Sequence, residues 1–533
     1  MLDRFEDIGC AAEGTCLWLL QHKSYRRWTD CDRGLLWIKG KPGSGKSTLL
    51  RYAYDKMKSN IRKEDLILNF FFHGRGADLQ KTPLGLIRSL LHQVLEQVPG
   101  ALQDLVAKHK QRCDSVGKEG DKWHWHANEL QRFFRSSLPT VLKSHHVWLF
   151  VDALDECGEE GAVDLVQEFE SLLQGLPTGL QFHICFTCRH YPILALNCEL
   201  KICVEDRNKS DISTYVEARL AKFDAPTRSA ISNLVTTRAS GIFMWAHLVV
   251  KRVLKLEREG EGFKRIEEAV YAIPQGLDEL YRNLVGSMND RLASLKLIQW
   301  ICFATRPLSL DELRWAMAAD ADCPHKSLHQ CQSAADYAKD SGMMERKVKT
   351  LSCGLAEVVE SSNAQVVQFI HQSVKDFFVD KGLSALDGNL RTIETETGVA
   401  HYRMSRTCIR YLAMEEVAQS IASNHHLEAE FPLLRYATMS WIAHAKHSEA
   451  KVSQENLLDD FHWPLEDVVR TWNVHRRTPL LYAAERGHET VVQELLLKKA
   501  DVNVQDIIGA TALHWAAPRG HKTIWGYAIS LGN

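Results

Sequence analysis

Gly40, Lys41, Pro42, Gly43, Ser44, Gly45, Lys46, Ser47 and Thr48 run in the order glycine, four residues, glycine, lysine, serine, the spelling of a phosphate-binding loop. Glycines let successive backbone N–H groups turn toward a polyphosphate, and a helix starting near Gly45 directs the positive end of its dipole at the same charge. Lys46 is then placed to reach the terminal phosphates and Ser47 to ligate Mg²⁺. Further along, the apolar run Val147, Trp148, Leu149, Phe150, Val151 delivers Asp152, Ala153, Leu154, Asp155 and Glu156. Asp152 is assigned to the metal, directly or through water, while Asp155 or Glu156 is placed to orient an attacking water as general base. Arg189 follows another apolar run, Phe182–Thr187. At a strand tip beside a triphosphate such an arginine either senses the γ-phosphate or is an exposed structural residue, and the sequence leaves both open.

These groups need a scaffold that brings strand ends together. Leu35, Leu36, Trp37 and Ile38 precede the loop as a strand buried on both faces, and Leu49 and Leu50 open a helix after it. Leu66–Phe72 is a second strand, and Leu84, Ile87, Leu90, Leu91, Val94, Leu95 and Val98 recur at helical spacing. Lys110–Asp121 reads as a polar surface loop, ahead of a helix carrying Leu130, Phe133 and Phe134. Alternating strand and helix signals predict an α/β fold with a parallel sheet. The fold class is therefore multidomain, an α/β P-loop domain followed by mostly helical segments.

With 533 residues the chain exceeds a single core. Hydrophobic residues make up 45% and charged residues 25%, and the net charge of -2 gives no general drive toward nucleic acid or anionic membrane. Asp3, Glu6 and Asp7 are unlike a signal peptide, and the longest apolar run, Ile242–Val250, is too short to span a bilayer, so a cytoplasmic protein is expected. Fourteen cysteines without a secretory leader read as reduced thiols. Cys185 and Cys188 form a lone C-x-x-C in a strand, where their side chains point to opposite faces, so buried thiols are expected rather than a metal pair. His124 with His126, and His145 with His146, read as solvated loop histidines.

The expected boundaries are a helical lead-in at 1–34, the nucleotide domain at 35–204, a helical domain at 205–290, a winged helix at 291–385, a helical connector at 386–470 and repeats at 471–533. Ser309 followed by Glu312 spells a capping box before a helix. Val366–Ile370 is strand-like and ends in His371, Gln372 and Ser373, ahead of the helix face Val374, Phe377, Phe378. No strongly basic recognition helix stands out in 291–385, so no nucleic-acid partner is expected. At the C-terminus, Thr478, Leu480, Ala483, Ala484, Gly487 and His488 recur as Thr511, Leu513, Ala516, Ala517, Gly520 and His521, an ankyrin-like period. Too few copies are present to bury a core alone, so the repeats either lean on the preceding helices or belong to a longer array.

Across nearly its whole length the chain resembles fungal NACHT-class STAND nucleotide switches with a nephrocystin-3-like nucleotide domain and ankyrin repeats. The resemblance rests on Thr15, Cys16 and Trp18; Gly40–Thr48; Asp152, Asp155 and Glu156; Arg189; Gly241, Ile242, Phe243 and Trp245; Leu277–Leu284; and Phe369, Ile370, His371 and Ser373. It implies ADP or ATP with Mg²⁺ as ligands, GTP remaining open, and slow hydrolysis. A winged-helix histidine like His371 would touch the β-phosphate of ADP. It further implies a protein partner or ligand on the repeats and nucleotide-dependent homo-oligomers. Relatives often place a proline near Gly241 against the adenine, and here Gly241, Ile242, Phe243 has none.

Overall fold

A computed structural model describes residues 3–524 apart from 63, 75, 77, 118–122, 124, 191–199, 335–336, 362–363, 389–391, 418–429, 450–456, 458–477, 498–499, 507, 518–520 and 522. It divides into two compact units, Met1–Leu280 and Tyr281–Asn533.

The first unit is built on five parallel strands: β1 (Arg33–Lys39), β2 (Leu66–Phe71), β3 (Val147–Asp152), β4 (Phe182–Cys188) and β5 (Leu200–Cys203). Their order across the sheet is β2-β3-β4-β1-β5. Every residue of β3 and β4 is buried, as continuous apolar runs covered on both faces require. One face packs on helices Pro83–Gln97, Ala127–Leu142 and Glu159–Gly175, and the other on the lead-in and the helix Lys46–Asn60. Cys185 belongs to the second core and Cys188 to the first, so the C-x-x-C pair is split by the pleat, and both are free thiols. At the exposed edge, the Gln93 side-chain amide donates to Asn69 O (2.8 Å) and accepts from Asn69 N (3.0 Å), substituting for a neighbouring strand. Trp28 of the lead-in is fully buried, donates to Gly34 O and meets Trp148 and Phe150 edge-on.

The structure differs from the sequence-based expectation at two places. The stretch from Lys110 is not a loop from its start, since the helix Gln103–Val116 runs through it and ends where Gly117 takes φ 111°. From Lys110 on it buries no side chain, so apolar periodicity gave no sign of it there. His146 is not a solvated loop residue either: its Nε2 lies 2.8 Å from Nδ1 of buried His183, and its ring packs on Trp148. His124 lies outside the described residues.

The second unit begins with a winged helix. Helices Arg291–Phe303, Leu310–Ala318 and Ser341–Leu351 precede an antiparallel hairpin of β6 (Ala356–Ser361) and β7 (Ala364–Phe369). Ser309 and Glu312 form the expected capping box, and Arg306 clamps the Glu312 carboxylate with both terminal nitrogens. Beyond it, helix Ile393–Leu412 packs along helix Leu434–Glu449, which in turn contacts the repeat helices Pro479–Arg486 and Glu489–Leu497. The described repeat helices are therefore packed on a neighbouring helix and do not stand alone.

Between helices Ile393–Leu412 and Leu434–Glu449, His401 Nδ1 lies 2.8 Å from His444 Nδ1, and His444 Nε2 lies 2.9 Å from the Tyr436 hydroxyl. Burial, with His447 adding to it, lowers His401 to about 3, and burial with His401 and His447 puts His444 well below its usual value. Both are neutral in the fold, so the unfolded chain binds more protons once the pH drops below about 6.5. Stability present above that pH is then lost as the pH falls toward 3. Urea unfolding at pH 7.5 and 5.5 should show a loss of about 1.4 kcal/mol per histidine between the two, with the difference reduced in His444→Gln.

Candidate functional site

Strand order sets the geometry. Because β4 lies between β1 and β3, the tips of all three meet at the carboxyl edge of the sheet, where open α/β folds bind ligands. β1 leads into the glycine-rich loop, whose last turn starts helix Lys46–Asn60. Gly43 has φ +73°, and a Cβ there would lie 2.7 Å from Met244 Cβ, so no larger residue fits.

A loop that folds this tightly must find partners for its carbonyls. Lys46 Nζ donates to Gly40 O (2.9 Å) and Lys41 O (3.0 Å), and Ser44 N donates to Lys41 O (3.2 Å). Gly43 O accepts from Met244 N (2.9 Å), in the first turn of helix Phe243–Arg258, and Ser44 O accepts from Asn208 Nδ2 (2.8 Å). Asn208 also donates to Gly241 O (2.8 Å) and is nearly fully buried. Gly241, at φ +80°, has no room for a Cβ, which would come within 2.5 Å of Glu205. Glu205 Oε2 in turn accepts from Lys41 N (3.2 Å). The turn after β5 thus ties the loop to the helical segment, and neither Glu205 nor Asn208 was singled out from the sequence. An asparagine next to the start of helix Lys209–Arg219 reads only as a helix-end residue until the fold places it beneath Ser44.

Asp152, at the end of β3, is completely buried. Its Oδ1 accepts from the Thr187 hydroxyl (2.6 Å), and its Oδ2 has no hydrogen-bond partner among the described residues. Burial raises its pKa, opposed by the hydroxyls of Thr187 and Ser47 and by the charges of Arg4 and Lys46. Burial lowers that of Lys46, opposed mainly by Asp155 and reinforced by Arg189. Thr187 also accepts from Ala153 N (2.7 Å). Ala153 itself takes a left-handed φ of 52°, a conformation that costs an alanine about 1 kcal/mol or more and turns the chain sharply off the strand. The one hydroxyl in Phe182–Thr187 was the sequence signal for Thr187.

Past that turn, Asp155 accepts from Arg189 N (3.1 Å) and its Oδ2 lies 2.9 Å from Arg189 Nε. Glu156 accepts from Gly74 N after β2. Gly40, Pro42, Gly43, Ser44, Gly45, Lys46, Ser47 and Thr48 therefore share the first unit with Asp152, Asp155, Glu156 and Arg189. His371 belongs to the second unit, where it caps helix Gln372–Phe377: its Nδ1 accepts from Ser373 N (3.0 Å) and lies 2.8 Å from Ser373 Oγ, which meets the Tyr281 hydroxyl at 2.9 Å.

Sequence comparison matches residues 14–189 to the nephrocystin 3 N-terminal family, 281–387 to the winged helix of GPI inositol-deacylase, and 441–529 to ankyrin repeats. The ankyrin match begins well before residue 471, inside helix Leu434–Glu449. The vegetative incompatibility protein HET-E-1 of Podospora anserina is 25% identical over 83% of this chain and 33% of its own length. Azaphilone pigments biosynthesis cluster protein L of Monascus ruber is 24% identical over 36% of this chain and 39% of its own. The chain thus spans between a third and two-fifths of these curated relatives. Among solved structures, a STAND protein with a tetratricopeptide-repeat sensor from Pyrococcus horikoshii aligns over 94% of this chain and 67% of its own at 13% identity and a TM-score of 0.36. A Walker-type ATPase of Pyrococcus abyssi aligns over 70% and 96% at 15% identity and a TM-score of 0.29. The chain thus carries, in this order, a domain of the nephrocystin 3 N-terminal family, a winged helix similar to that of GPI inositol-deacylase and ankyrin repeats, and it is similar to HET-E-1 along most of its length.

Proposed function

We propose that the protein is a nucleotide-dependent signalling switch that holds ADP or ATP with Mg²⁺ and changes state when its repeats engage a partner. The observation that carries this reading is the convergence of Lys46, Asp152 and Arg189 on the glycine-rich loop, with that loop bonded to the helical segment through Gly43 O and Ser44 O. A ligand that orders the loop then acts on the helical segment as well. The buried, unpartnered Oδ2 of Asp152 beside the Ser47 hydroxyl fits Mg²⁺, which would neutralise phosphate charge; Ser47 and Asp152 would hold it. Lys46 would leave the loop carbonyls for the terminal phosphates, Thr48 and the other loop residues would carry the backbone cradle, and His371 would contact the β-phosphate in the closed state.

Slow hydrolysis is favoured over fast turnover because both acids are engaged, Asp155 by Arg189 and Glu156 by Gly74 N. We assign Asp155 to holding Arg189 and Glu156 to orienting water. HET-E-1 is by name a vegetative incompatibility protein, which supports non-self recognition in fungi as the biological setting, with homo-oligomers as the open form.

Purified protein should release ADP on denaturation, identified by chromatography, and Lys46→Ala should release none. An empty wild-type chain that turns ATP over quickly as a monomer overturns the switch in favour of an ordinary P-loop enzyme, whereas ADP that never exchanges leaves only a scaffold with a structural nucleotide. Asn208→Ala removes both buried bonds to Ser44 O and Gly241 O, at about 1 kcal/mol or more each. It should speed ADP release about tenfold or more in a mant-ADP chase, with circular dichroism unchanged. Glu156→Gln should lower single-turnover ATP hydrolysis by about 10²-fold or more while leaving nucleotide content at the wild-type level.

A further inference from the structure

Beside the loop, at the tips of β4 and β5, stands a group of side chains that nucleotide binding does not use. His190, Cys203 and Glu205 each offer one donor atom, and these atoms all lie within 4.8 Å of one another. His190 Nε2 lies 2.5 Å from Glu205 Oε1. Cys203 closes the edge strand β5 and pairs in register with Lys39 of β1, so its position is fixed by the sheet. Glu205 is held by Lys41 N on its other oxygen, and only His190 is exposed.

We propose that His190, Cys203 and Glu205 form a site for a thiophilic divalent cation of the zinc class, with solvent in the fourth position. The donor set of one imidazole, one thiolate and one carboxylate is that of borderline-soft metals and does not suit Mg²⁺ or Ca²⁺. Bonds of about 2.0–2.3 Å in a tetrahedral site place donors about 3.5 Å apart, so His190 Nε2 and Glu205 Oε1, 2.5 Å apart, have to open by about an ångström while separations of up to 4.8 Å close by a similar amount. Exposed His190 provides both the entry path and the freedom to make that adjustment. The cation takes the place of the shared proton between His190 Nε2 and Glu205 Oε1 and displaces the Cys203 thiol proton to solvent, so binding forms metal–nitrogen, metal–sulfur and metal–oxygen bonds with no change of oxidation state. Glu205 Oε2 stays on Lys41 N throughout, so the metal fastens the two strand tips to the shoulder of the glycine-rich loop. Glu205 and Asp206 beside the Cys203 sulfur add negative charge that attracts a cation, and together with burial they hold the thiol protonated until the metal displaces that proton.

Co²⁺ added to the full chain tests this without reference to nucleotide. The expected result is a saturable thiolate-to-cobalt charge-transfer band in the near ultraviolet with the visible bands of four-coordinate cobalt, bleached by Zn²⁺. Cys203→Ser should abolish the charge-transfer band, His190→Ala should weaken binding about tenfold or more, and Cys113→Ser, which removes a cysteine that lies beside His109, should leave the band unchanged. Should a variant fold poorly, alkylation of wild-type Cys203 followed by peptide mass spectrometry gives a separate readout, with Zn²⁺ slowing modification at that residue. Absence of the band, its survival in Cys203→Ser, or alkylation of Cys203 indifferent to Zn²⁺ overturns the site. None of these outcomes bears on whether Lys46 holds a nucleotide.

Discussion

A glycine-rich loop that turns its amides toward a ligand still has its carbonyls to satisfy, and a buried carbonyl without a partner costs about as much as a lost hydrogen bond. Here those carbonyls are satisfied from separate parts of the chain: Lys46 serves Gly40 and Lys41, Met244 serves Gly43, and Asn208 serves Ser44. Much of the first unit follows from that requirement. The turn after β5 has to pass beneath the loop, Gly241 has to lack a side chain where it meets Glu205, and helix Phe243–Arg258 has to start against Gly43.

A second constraint is the full burial of Asp152. A carboxylate out of water needs compensation, and β4, threaded between β1 and β3, supplies it with Thr187. The same hydroxyl receives Ala153 N, which holds the left-handed turn that brings Asp155 back to Arg189. One threonine therefore links the acid at the strand end with the ion pair beyond it.

What the sequence could reveal was whatever depends on local spacing. The loop, the acid-tipped strand, the Ser309–Glu312 cap and the 33-residue repeat are each written within a short window, and the capping box is present as spelled. Thr187, Glu205 and Asn208 act through strand order and through a loop more than a hundred residues away, so no window contains both partners. His146 was misread because its meaning lies in His183, on the neighbouring strand. The helix through Lys110 is legible only at its start, where Leu105 packs on the core; its second half from Lys110 buries no side chain and is mostly polar, so composition there resembles a loop.

Helix Leu434–Glu449 has two tasks. One side carries Trp441 and His444 into the contact with helix Ile393–Leu412, and the repeat helices rest on it as well, with Lys446 reaching toward Arg486 O. Rigid, close-packed interiors transmit displacement instead of absorbing it. The described repeat helices therefore meet the rest of their unit through the same helix that holds the buried histidine pair, so a substitution in that pair also alters the footing of the repeats.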